Sequence, residues 1–184
     1  MNPAIRVQRT AAQALLFCLA FVLPVRASDT LRGQVTRVFD GDSFLIELAD
    51  RRIVEVRLAE IDAPEKDQPH ADAARAALRD LILDREVELR VLDQDRYGRS
   101  VARAWLQPRH LDINAELVSQ GHAWVYRRHL RDRSLLELEN AARESRRGLW
   151  ALPEAQRAAP WTWRRTHPPA EPQNVDKPLA SMSR

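Results

Sequence analysis

Two neighbouring segments near the start of the chain alternate apolar and polar residues with the period of a β-strand. FLIEL places apolar side chains at positions 44, 46 and 48, and RIVEVRL repeats the pattern at 54, 56 and 58. Side chains alternate between the two faces of a strand, so each segment has one apolar face. ADRR, which lies between them and contains Asp50, has the composition of a turn. The sequence therefore predicts a β-hairpin with one face in a hydrophobic core.

The other periodic segments interleave strands with helices. Residues 32–62 as a whole have strand character, and REVELRVL and SVARAWL are two further strands. HADAARAALRDLIL has helical spacing, and two more helices are predicted in LDINAELVSQG, with Asp112 as N-cap, and in DRSLLELENAARESRRG. Gly121 and Gly148 are expected to end these two helices. Five strands and three helices predict an α+β domain, for which a small closed OB-type five-stranded β-barrel is one candidate among several.

The two ends of the chain differ in composition from its middle. Residues 1–27 have a basic start, a short apolar run and small residues before Ser28, which is the layout of a cleaved secretory signal peptide. An uncleaved anchor helix is the alternative. Residues 166–184 are rich in proline and polar residues without periodicity, so we expect a disordered tail there. The expected arrangement is one domain at 28–165, secreted or periplasmic, with no membrane contact after signal cleavage.

Cysteine and charge content limit what stabilises the mature domain and what it attracts. Cys18, the only cysteine, lies in the predicted signal peptide, so the mature domain relies on its core, or on a metal, rather than on disulfides. The chain has 29 Lys and Arg against 26 Asp and Glu, and three of the arginines precede residue 28. The mature chain is thus nearly neutral, and a local cluster of arginines must attract any anionic partner. Nothing requires a stable protein partner, and we expect a monomer.

Two aspartates flank the predicted hairpin and are candidates for a shared site. Asp42 and Asp62 lie on either side of the turn at Asp50, so antiparallel pairing is expected to bring them opposite each other at its open end. Two adjacent carboxylates repel each other unless one is protonated or a cation joins them. Carboxylate oxygens favour Ca²⁺ first, with Mg²⁺ or Mn²⁺ as alternatives. Zinc is not expected, because the five histidines show no pair at ligand spacing and are interpreted as scattered surface residues.

Further charged residues surround Asp62 in the segment RLAEIDAPE. Glu65 follows Pro64, which stiffens the chain after the strand. Arg57 and Asp62 are an odd number of residues apart, so they share a face only if the chain bends near Ala59. Each residue also has a purely structural alternative, such as a surface ion pair for Arg57 or a helix cap for Glu65. Together, however, carboxylates and arginines suit phosphodiester hydrolysis, in which cations neutralise charge developing at phosphorus.

Four segments resemble, in order, the sequence blocks of staphylococcal-nuclease-like (thermonuclease) proteins. They are VFDGDSFLIEL, VRLAEIDAPE, DRYGRSVARAWL and NAELVSQGHAWVY, and the resemblance covers about residues 32–150. APWTWRR at 159–165 also resembles the aromatic and basic closing segment of many secreted bacterial members. The resemblance implies an OB-fold barrel and Ca²⁺-dependent endonucleolytic cleavage of both DNA and RNA that leaves 3′-phosphates.

The same resemblance implies a role for each candidate residue. Asp42 and Asp62 match the carboxylate metal ligands. Ala63, at a position usually held by threonine, matches the ligand that contributes a backbone carbonyl, and Asp40 resembles an acid placed just outside the metal's ligands. The residues expected at the substrate are Glu65, which activates or positions water; Arg57 and Arg99, which bind phosphate; and Tyr97, which lines the nucleotide site. Tyr126 or Trp124 is expected to stack on a base, although neither aligns cleanly with the stacking tyrosine of the family.

Other interpretations of the chain are open. Barrels of this family also occur as non-catalytic modules that bind nucleic acid or protein, and such modules typically lack part of the acidic and arginine set. This chain retains the set, which favours catalysis. A structural envelope protein is a third interpretation, based on the neutral mature charge and the proline-rich tail, because fold alone does not decide function. Base stacking by Tyr126 is the weakest implied role, since Trp124 lies in the same motif and either ring could belong to the core.

Overall fold

The computed structural model describes residues 30–168 of the chain. The predicted signal peptide, and the predicted tail from residue 169 onward, lie outside these residues. The strands are β1 (Thr30–Val38), β2 (Ser43–Leu48), β3 (Ile53–Leu58), β4 (Ile61–Asp62), β5 (Glu86–Gln94), β6 (Ser100–Leu106), β7 (Leu111–Asp112) and β8 (Trp124–Val125). The α-helices are α1 (Ala71–Ile82), α2 (Ile113–Ser119), α3 (Ser134–Glu144) and α4 (Pro160–Thr166).

The five long strands close into a mixed β-barrel. β1 pairs antiparallel with both β2 and β5, β2 pairs with β3, and β5 pairs with β6. The barrel closes where β3 runs parallel to β6, with residues 56–58 beside residues 100–102. A bulge between Val35 and Arg37 interrupts the register of β1, and bulges bend strands in the way that closure requires. The predicted α+β OB-type five-stranded barrel is confirmed.

Alternation along the strands determines which side chains fill the barrel. In the predicted hairpin, Phe44, Ile46, Val56 and Leu58 are at most 1% exposed, whereas Ile53 is 55% exposed. The apolar faces of α1, α2 and α3 add residues to the same core. Removal of this apolar surface from water is the main stabilising contribution in a domain without disulfides.

Two glycines connect the segments that follow α2 and α3. Gly121 and Gly148 have φ angles of 74° and 53°, a region that most side chains avoid. A Cβ atom at either position would collide with backbone of the other segment. The Asp112 carboxylate caps α2 by accepting from the Ala115 N–H at 3.0 Å. The predicted cap and the predicted stop of α2 are confirmed, and α3 ends shortly before Gly148.

The register of the β2–β3 hairpin differs from the predicted one. The paired residues of this hairpin lie symmetrically on either side of Asp50. Residues 42 and 62 would be paired only in a hairpin that is symmetric about residue 52. The Leu58 N–H donates to the Asp42 carbonyl at 2.8 Å, so Asp42 lies opposite Leu58. The prediction that hairpin pairing places Asp42 opposite Asp62 is therefore wrong, and another feature must bring the two carboxylates together.

Helix α4 is an element that the periodicity of the sequence does not predict. It begins at Pro160, and proline is favoured at this position because the first helical N–H has no partner within the helix. The helix continues to Thr166, the first residue of the predicted tail. Residues 30–168 thus contain four α-helices rather than the three predicted. Among these residues, none of the helices has the length and apolar character needed to cross a membrane.

Candidate active site

A sharp bend after β3 is the feature that brings Asp62 back towards the hairpin. Glu60 has a φ angle of 64°, which is rare for a residue other than glycine. The Glu60 carboxylate is held in place because it accepts from the N–H groups of Arg131 at 2.6 Å and Asp132 at 2.7 Å. The chain therefore bends between Arg57 and Asp62, as their odd spacing requires. Glu60 is the residue of this bend with a left-handed backbone conformation.

Arg57 bridges the two aspartates that the sequence proposed as metal ligands. Its guanidinium donates to Asp42 Oδ1, and its Nη2 donates to Asp62 Oδ1 at 2.7 Å. Asp42 Oδ2 also accepts from the Ala63 N–H at 2.8 Å. Asp42 and Asp62 are only 2% and 1% exposed. The structure thus unites Asp42, Arg57, Asp62 and Ala63 at one buried point, as the sequence predicted.

Burial has the largest effect on the pKa of Asp42 at this site. Removal from water raises the pKa of Asp42 to about 7, even though the neighbouring Arg57 guanidinium opposes the shift. The charges of Asp40 and Asp62 raise the same pKa further. Burial alone would lower the pKa of Arg57, but these carboxylates raise it on balance. A cation bound beside Asp42 would therefore favour the ionised form of this buried carboxyl.

An open cleft of about 730 Å³ lies beside Asp42 and Arg57, and Asp62 is not among the residues that line it. Asp40 forms part of its wall and holds the turn before β2 by accepting from the Asp42 N–H at 3.0 Å. Basic residues that were not predicted also line it, and they include Lys66, Arg75 and Arg96. The predicted residues that line the same cleft are Asp40, Asp42, Arg57, Ala63, Glu65, Tyr97, Arg99 and Tyr126.

Glu65 contacts an arginine that the sequence interpretation did not assign to the site. Arg164, from α4, donates to Glu65 Oε1, and it reaches Asp62 through Nη2 to Oδ2 at 2.8 Å and Nη1 to Oδ1 at 3.1 Å. Glu65 is 38% exposed at its side chain, so it can meet water. One feature of the sequence could have indicated Arg164, namely the aromatic and basic segment APWTWRR, which ends with Arg164 and Arg165.

Arg99 and Tyr97 form a separate wall of the cleft. Arg99 Nε donates to Asp95 Oδ2 at 2.8 Å, and its guanidinium lies 5.5 Å from the centre of the Tyr97 ring. The Tyr97 residue is 68% exposed, and the Arg96 guanidinium also lies over its ring, 4.8 Å from the ring centre. Arg99 makes no ion pair with the buried aspartates, because among the described residues its only such partner is Asp95. The two phosphate-binding candidates thus face the cleft from different elements.

The two candidate rings of the last motif have different surroundings. Trp124 packs edge-on against Trp150, with ring centres 4.4 Å apart, and against Trp161 at 5.8 Å. The Arg143 guanidinium also lies over Trp124, 4.8 Å from the ring centre. These contacts give Trp124 a packing role. Tyr126 is the ring that lines the cleft.

The histidines are not all scattered on the surface, which corrects one sequence interpretation. His70 and His122 stack with ring centres 5.2 Å apart, and Nε2 of His70 lies 3.1 Å from Nδ1 of His122. Both rings are half-buried, and burial lowers the pKa of His70 to about 4. The pair was missed because it joins the start of α1 to the turn after α2, residues far apart in sequence.

The donor atoms of the cleft fit a hard divalent cation. Asp42 and Asp62 offer carboxylate oxygens, which Ca²⁺, Mg²⁺ and Mn²⁺ all accept, and their burial requires nearby positive charge. The guanidinium groups of Arg57 and Arg164 supply that charge in the structure. Within residues 30–168, no group of three or more His, Cys, Asp or Glu side chains is arranged to hold a metal as it stands. A cation would therefore have to compete with Arg164 for Asp62.

Fold and cleft together define an OB-type barrel protein with an acidic and arginine-rich site of the kind that acts on phosphate esters. Comparison with known families gives the same result, since the family described as staphylococcal nuclease homologue matches residues 55–152. The chain belongs to the staphylococcal nuclease family. The predicted family is confirmed, and the prediction of a phosphodiester-hydrolysing enzyme is confirmed at the level of that family.

Individual relatives are similar over nearly their whole length. The chain is 42% identical over 163 residues to Escherichia coli protein ParB, which covers 84% of this chain and 89% of that protein. It is 38% identical over 164 residues to a micrococcal nuclease of Shigella flexneri, covering 84% and 92%. An uncharacterized endonuclease of Haemophilus influenzae is 36% identical over 159 residues, covering 86% and 87%.

Proposed function

We propose that the protein is a divalent-cation-dependent endonuclease that hydrolyses phosphodiester bonds of both DNA and RNA. The observation that carries this proposal is the bridge from Arg57 to the buried carboxylates of Asp42 and Asp62, beside Glu65 in an open cleft. This arrangement places negative oxygen donors, a fixed guanidinium and a solvent-accessible carboxylate within reach of one phosphate. Family membership agrees with this chemistry.

The cation of the proposed reaction is Ca²⁺, with Mg²⁺ or Mn²⁺ as substitutes. Asp42, Asp62 and the backbone carbonyl of Ala63 would hold it. When bound, the cation would neutralise charge on the scissile phosphate as the phosphorus becomes five-coordinate. The raised pKa of Asp42 supports this assignment, because burial causes it and a bound cation would favour the charged form of the buried carboxyl.

Arg57, Arg99 and Glu65 have separate roles in the proposed reaction. Arg57 is held by its carboxylate partners, Arg99 is held by Asp95, and both line the cleft. Such pre-positioned guanidinium groups stabilise charge on phosphate oxygens without reorganisation during the reaction. Glu65 is exposed enough to accept a hydrogen bond from the attacking water and to orient it. Attack at phosphorus then breaks the P–O5′ bond and leaves a 3′-phosphate.

Selectivity of the proposed reaction follows from what the cleft contacts. The arginines contact phosphate, which carries no sequence information. Tyr97 is largely exposed and lines the cleft, where an aromatic ring can stack on any base. Neither contact requires or excludes a 2′-hydroxyl, so we expect cleavage of both DNA and RNA with little dependence on base sequence. Secretion or periplasmic export of a monomer, directed by residues 1–27, completes the proposal.

The proposal is tested by cleavage of plasmid DNA, single-stranded DNA and RNA with purified residues 28–184. Each substrate is incubated with Ca²⁺, with Mg²⁺ and with a chelator, and product ends are mapped. Degradation of all three substrates in Ca²⁺, abolished by the chelator and leaving 3′-phosphates, is the expected result. A folded protein that retards single strands on a gel but cuts none of them in any metal would instead identify a non-catalytic binding module.

A further inference from the structure

Helix α4 brings a guanidinium group to the cleft from outside the barrel. The helix spans Pro160–Thr166, whereas the family match ends at residue 152. Its Arg164 nevertheless lines the same cleft as Arg57, from β3, and Arg99, from the loop before β6. Arg164 is thus a third arginine beside the two to which the proposed reaction gives a role.

Aromatic packing fixes the position of α4 on the rest of the protein. Trp161 packs edge-on against Trp124, with ring centres 5.8 Å apart. Just before the helix, the carbonyl of Ala158 accepts from the side-chain amide of the buried Gln68. Arg164 follows Trp161 by three residues, and side chains at this spacing are neighbours on one face of a helix. The face that packs against the protein therefore also directs Arg164 to the cleft.

The guanidinium of Arg164 retains donors that no carboxylate uses. It donates from Nη2 to Asp62 Oδ2 at 2.8 Å, from Nη1 to Asp62 Oδ1 at 3.1 Å, and from Nη1 to Glu65 Oε1. An arginine side chain carries five N–H groups. The Nε–H and one N–H of Nη2 therefore have no acceptor in the part of the chain that the structure describes. Since Arg164 is exposed, these two groups are available to an anion that enters the cleft.

The contact with Glu65 gives these free donors a chemical meaning. A carboxylate that orients the attacking water must lie close to the phosphate, and the two anions repel each other. The Arg164 guanidinium already contacts the Glu65 carboxylate. A planar guanidinium can donate to a carboxylate along one edge and to a phosphate along another. The position of Arg164 therefore suits a group that holds Glu65 and a substrate phosphate together.

We propose that Arg164 is a catalytic residue that donates from its free N–H groups to a non-bridging oxygen of the scissile phosphate while it holds Glu65. The inference rests on the proposed function, because it adds a residue to that site. Charge on the non-bridging oxygens grows as phosphorus becomes five-coordinate, so a donor already in place stabilises the transition state more than the bound substrate. Helix α4 thus supplies stabilisation that the barrel alone does not contain.

The contacts of Arg164 with carboxylates also suggest an opposite role, in which it only occupies Asp62 and blocks the cleft. The two roles predict opposite effects of its removal. If Arg164 blocks the cleft, turnover rises in Arg164→Gln. If Arg164 is catalytic, turnover falls in this variant even where Ca²⁺ binds more tightly. The free N–H groups favour the catalytic role, because a block does not require them.

The test compares the wild-type protein with Arg164→Gln, Arg164→Lys and Arg165→Gln. Arg165→Gln is the matched control, because it removes the same charge from the same helix, and within residues 30–168 the Arg165 side chain donates only to Thr162. Turnover on DNA is measured at saturating Ca²⁺, and thermal melting reports whether each variant folds. A second readout needs no cation. It is the affinity of each protein for a labelled single-stranded DNA tetranucleotide, measured in a chelator at several salt concentrations.

Arg164→Gln should lower turnover by about 10²–10³-fold, the range for loss of one fixed donor to the transition state. Arg164→Lys keeps the charge but not the planar fork, so it should recover only part of this loss. In the chelator, Arg164→Gln should bind the tetranucleotide about tenfold more weakly. The slope of log affinity against log salt should decrease in magnitude by about 0.7, the value for one phosphate contact of a single strand. Arg165→Gln should match the wild type in both readouts.

Wild-type turnover in folded Arg164→Gln would overturn the inference, and so would a higher turnover, which would identify a blocking arginine. Equal losses in Arg164→Gln and Arg165→Gln would also overturn it, because the charge of α4 rather than a contact would then be responsible. If Arg164→Gln does not fold, Arg164→Lys decides the question by the same two readouts. Failure of the proposed function appears separately, as a wild-type protein that cleaves no substrate in any metal.

Discussion

The molecule contains two buried clusters in which one arginine meets several carboxylates, and they differ in what surrounds them. The cleft cluster consists of Asp42, Arg57 and Asp62 and opens onto the cleft. The loop cluster ties the bend after β3 to the segment before α3, and its arginine and glutamate are buried while its aspartates are partly exposed. Its members are Arg103, which is 4% exposed, together with Glu60, Asp112 and Asp132.

The two clusters shift carboxylate pKa values in opposite directions. Burial alone would raise the pKa of Glu60, but the Asp132 N–H and the Arg103 guanidinium help to hold it below its ordinary value. Burial raises the pKa of Asp42 to about 7, although Arg57 is in direct contact. A buried carboxylate whose donors outweigh burial is typical of a structural element, whereas one whose pKa stays raised by burial is a candidate for a functional site. The comparison assigns architecture to the loop cluster and chemistry to the cleft cluster.

The largest expected effect is the loss of turnover in Glu65→Gln. The amide keeps the size of the side chain but accepts protons poorly, so the turnover number should fall by about 10²–10⁴-fold. The melting temperature should stay close to that of the wild type because Glu65 is partly exposed. Glu55→Gln, an exposed change on β3, is the control. Near-normal turnover of Glu65→Gln would remove this residue from the mechanism.

The loop cluster should respond to mutation in stability rather than in activity. Arg103→Met leaves the buried Glu60 carboxylate without its cation, which should lower the free energy of unfolding by about 3–5 kcal/mol. Chemical denaturation measures this loss, and Arg90→Met, at the position paired with Arg103 on β5, is the control. Activity per folded molecule should be unchanged. A large specific loss of turnover in folded Arg103→Met would show that the two clusters are not separable.

Arg99→Ala tests whether the second wall of the cleft takes part in the reaction. Loss of one fixed donor to the transition state should lower turnover by about 10²–10³-fold. Arg99 is held only through Asp95 and the adjacent ring, so the fold should be preserved. Steady-state kinetics with Arg109→Ala alongside would provide the measurement. A change confined to KM would mean that Arg99 binds substrate without stabilising the transition state.

The pKa of Asp42 predicts how pH affects stability when no cation is present. Between pH 4 and pH 7 the folded state retains a proton on Asp42 that the unfolded state has lost. The contribution of Asp42 to the free energy of unfolding therefore decreases as pH rises. The difference in unfolding free energy between the wild type and Asp42→Asn should fall by roughly 3 kcal/mol across that window. Urea denaturation at several pH values in a chelator measures it. A constant difference would contradict the raised pKa of Asp42.

The smallest expected effect concerns Arg164 and the cation. Because Arg164 donates to both Asp62 and Glu65, its removal in Arg164→Gln should strengthen Ca²⁺ binding, by about fivefold or more if the coupling is of ordinary size. Arg165→Gln removes the same charge from α4 without contact to these carboxylates, and it should leave the affinity nearly unchanged. Equal affinities of Arg164→Gln and wild type for Ca²⁺ would show that the guanidinium does not compete.

Local patterns in the sequence predicted the barrel better than they predicted the contacts across it. Alternation in β2 and β3 identified both strands because period and burial are local properties. The hairpin register was predicted wrongly because it depends on where the turn is centred. The cleft residues were nevertheless identified, since they lie in motifs that carry the family resemblance. Arg164 and the His70–His122 pair were missed because only the tertiary fold brings them to their partners.

The most direct test of the difference between the clusters is calorimetric titration of Ca²⁺ into the wild-type protein, Asp42→Asn and Asp132→Asn. Each variant removes one carboxylate charge, from the cleft cluster and the loop cluster respectively. One Ca²⁺ should bind to the wild type and to Asp132→Asn, and binding should be lost or strongly weakened in Asp42→Asn. Unchanged Ca²⁺ binding by folded Asp42→Asn, or no binding by a wild-type protein that cleaves DNA in a chelator, would contradict the assignment of the cleft cluster as the cation site.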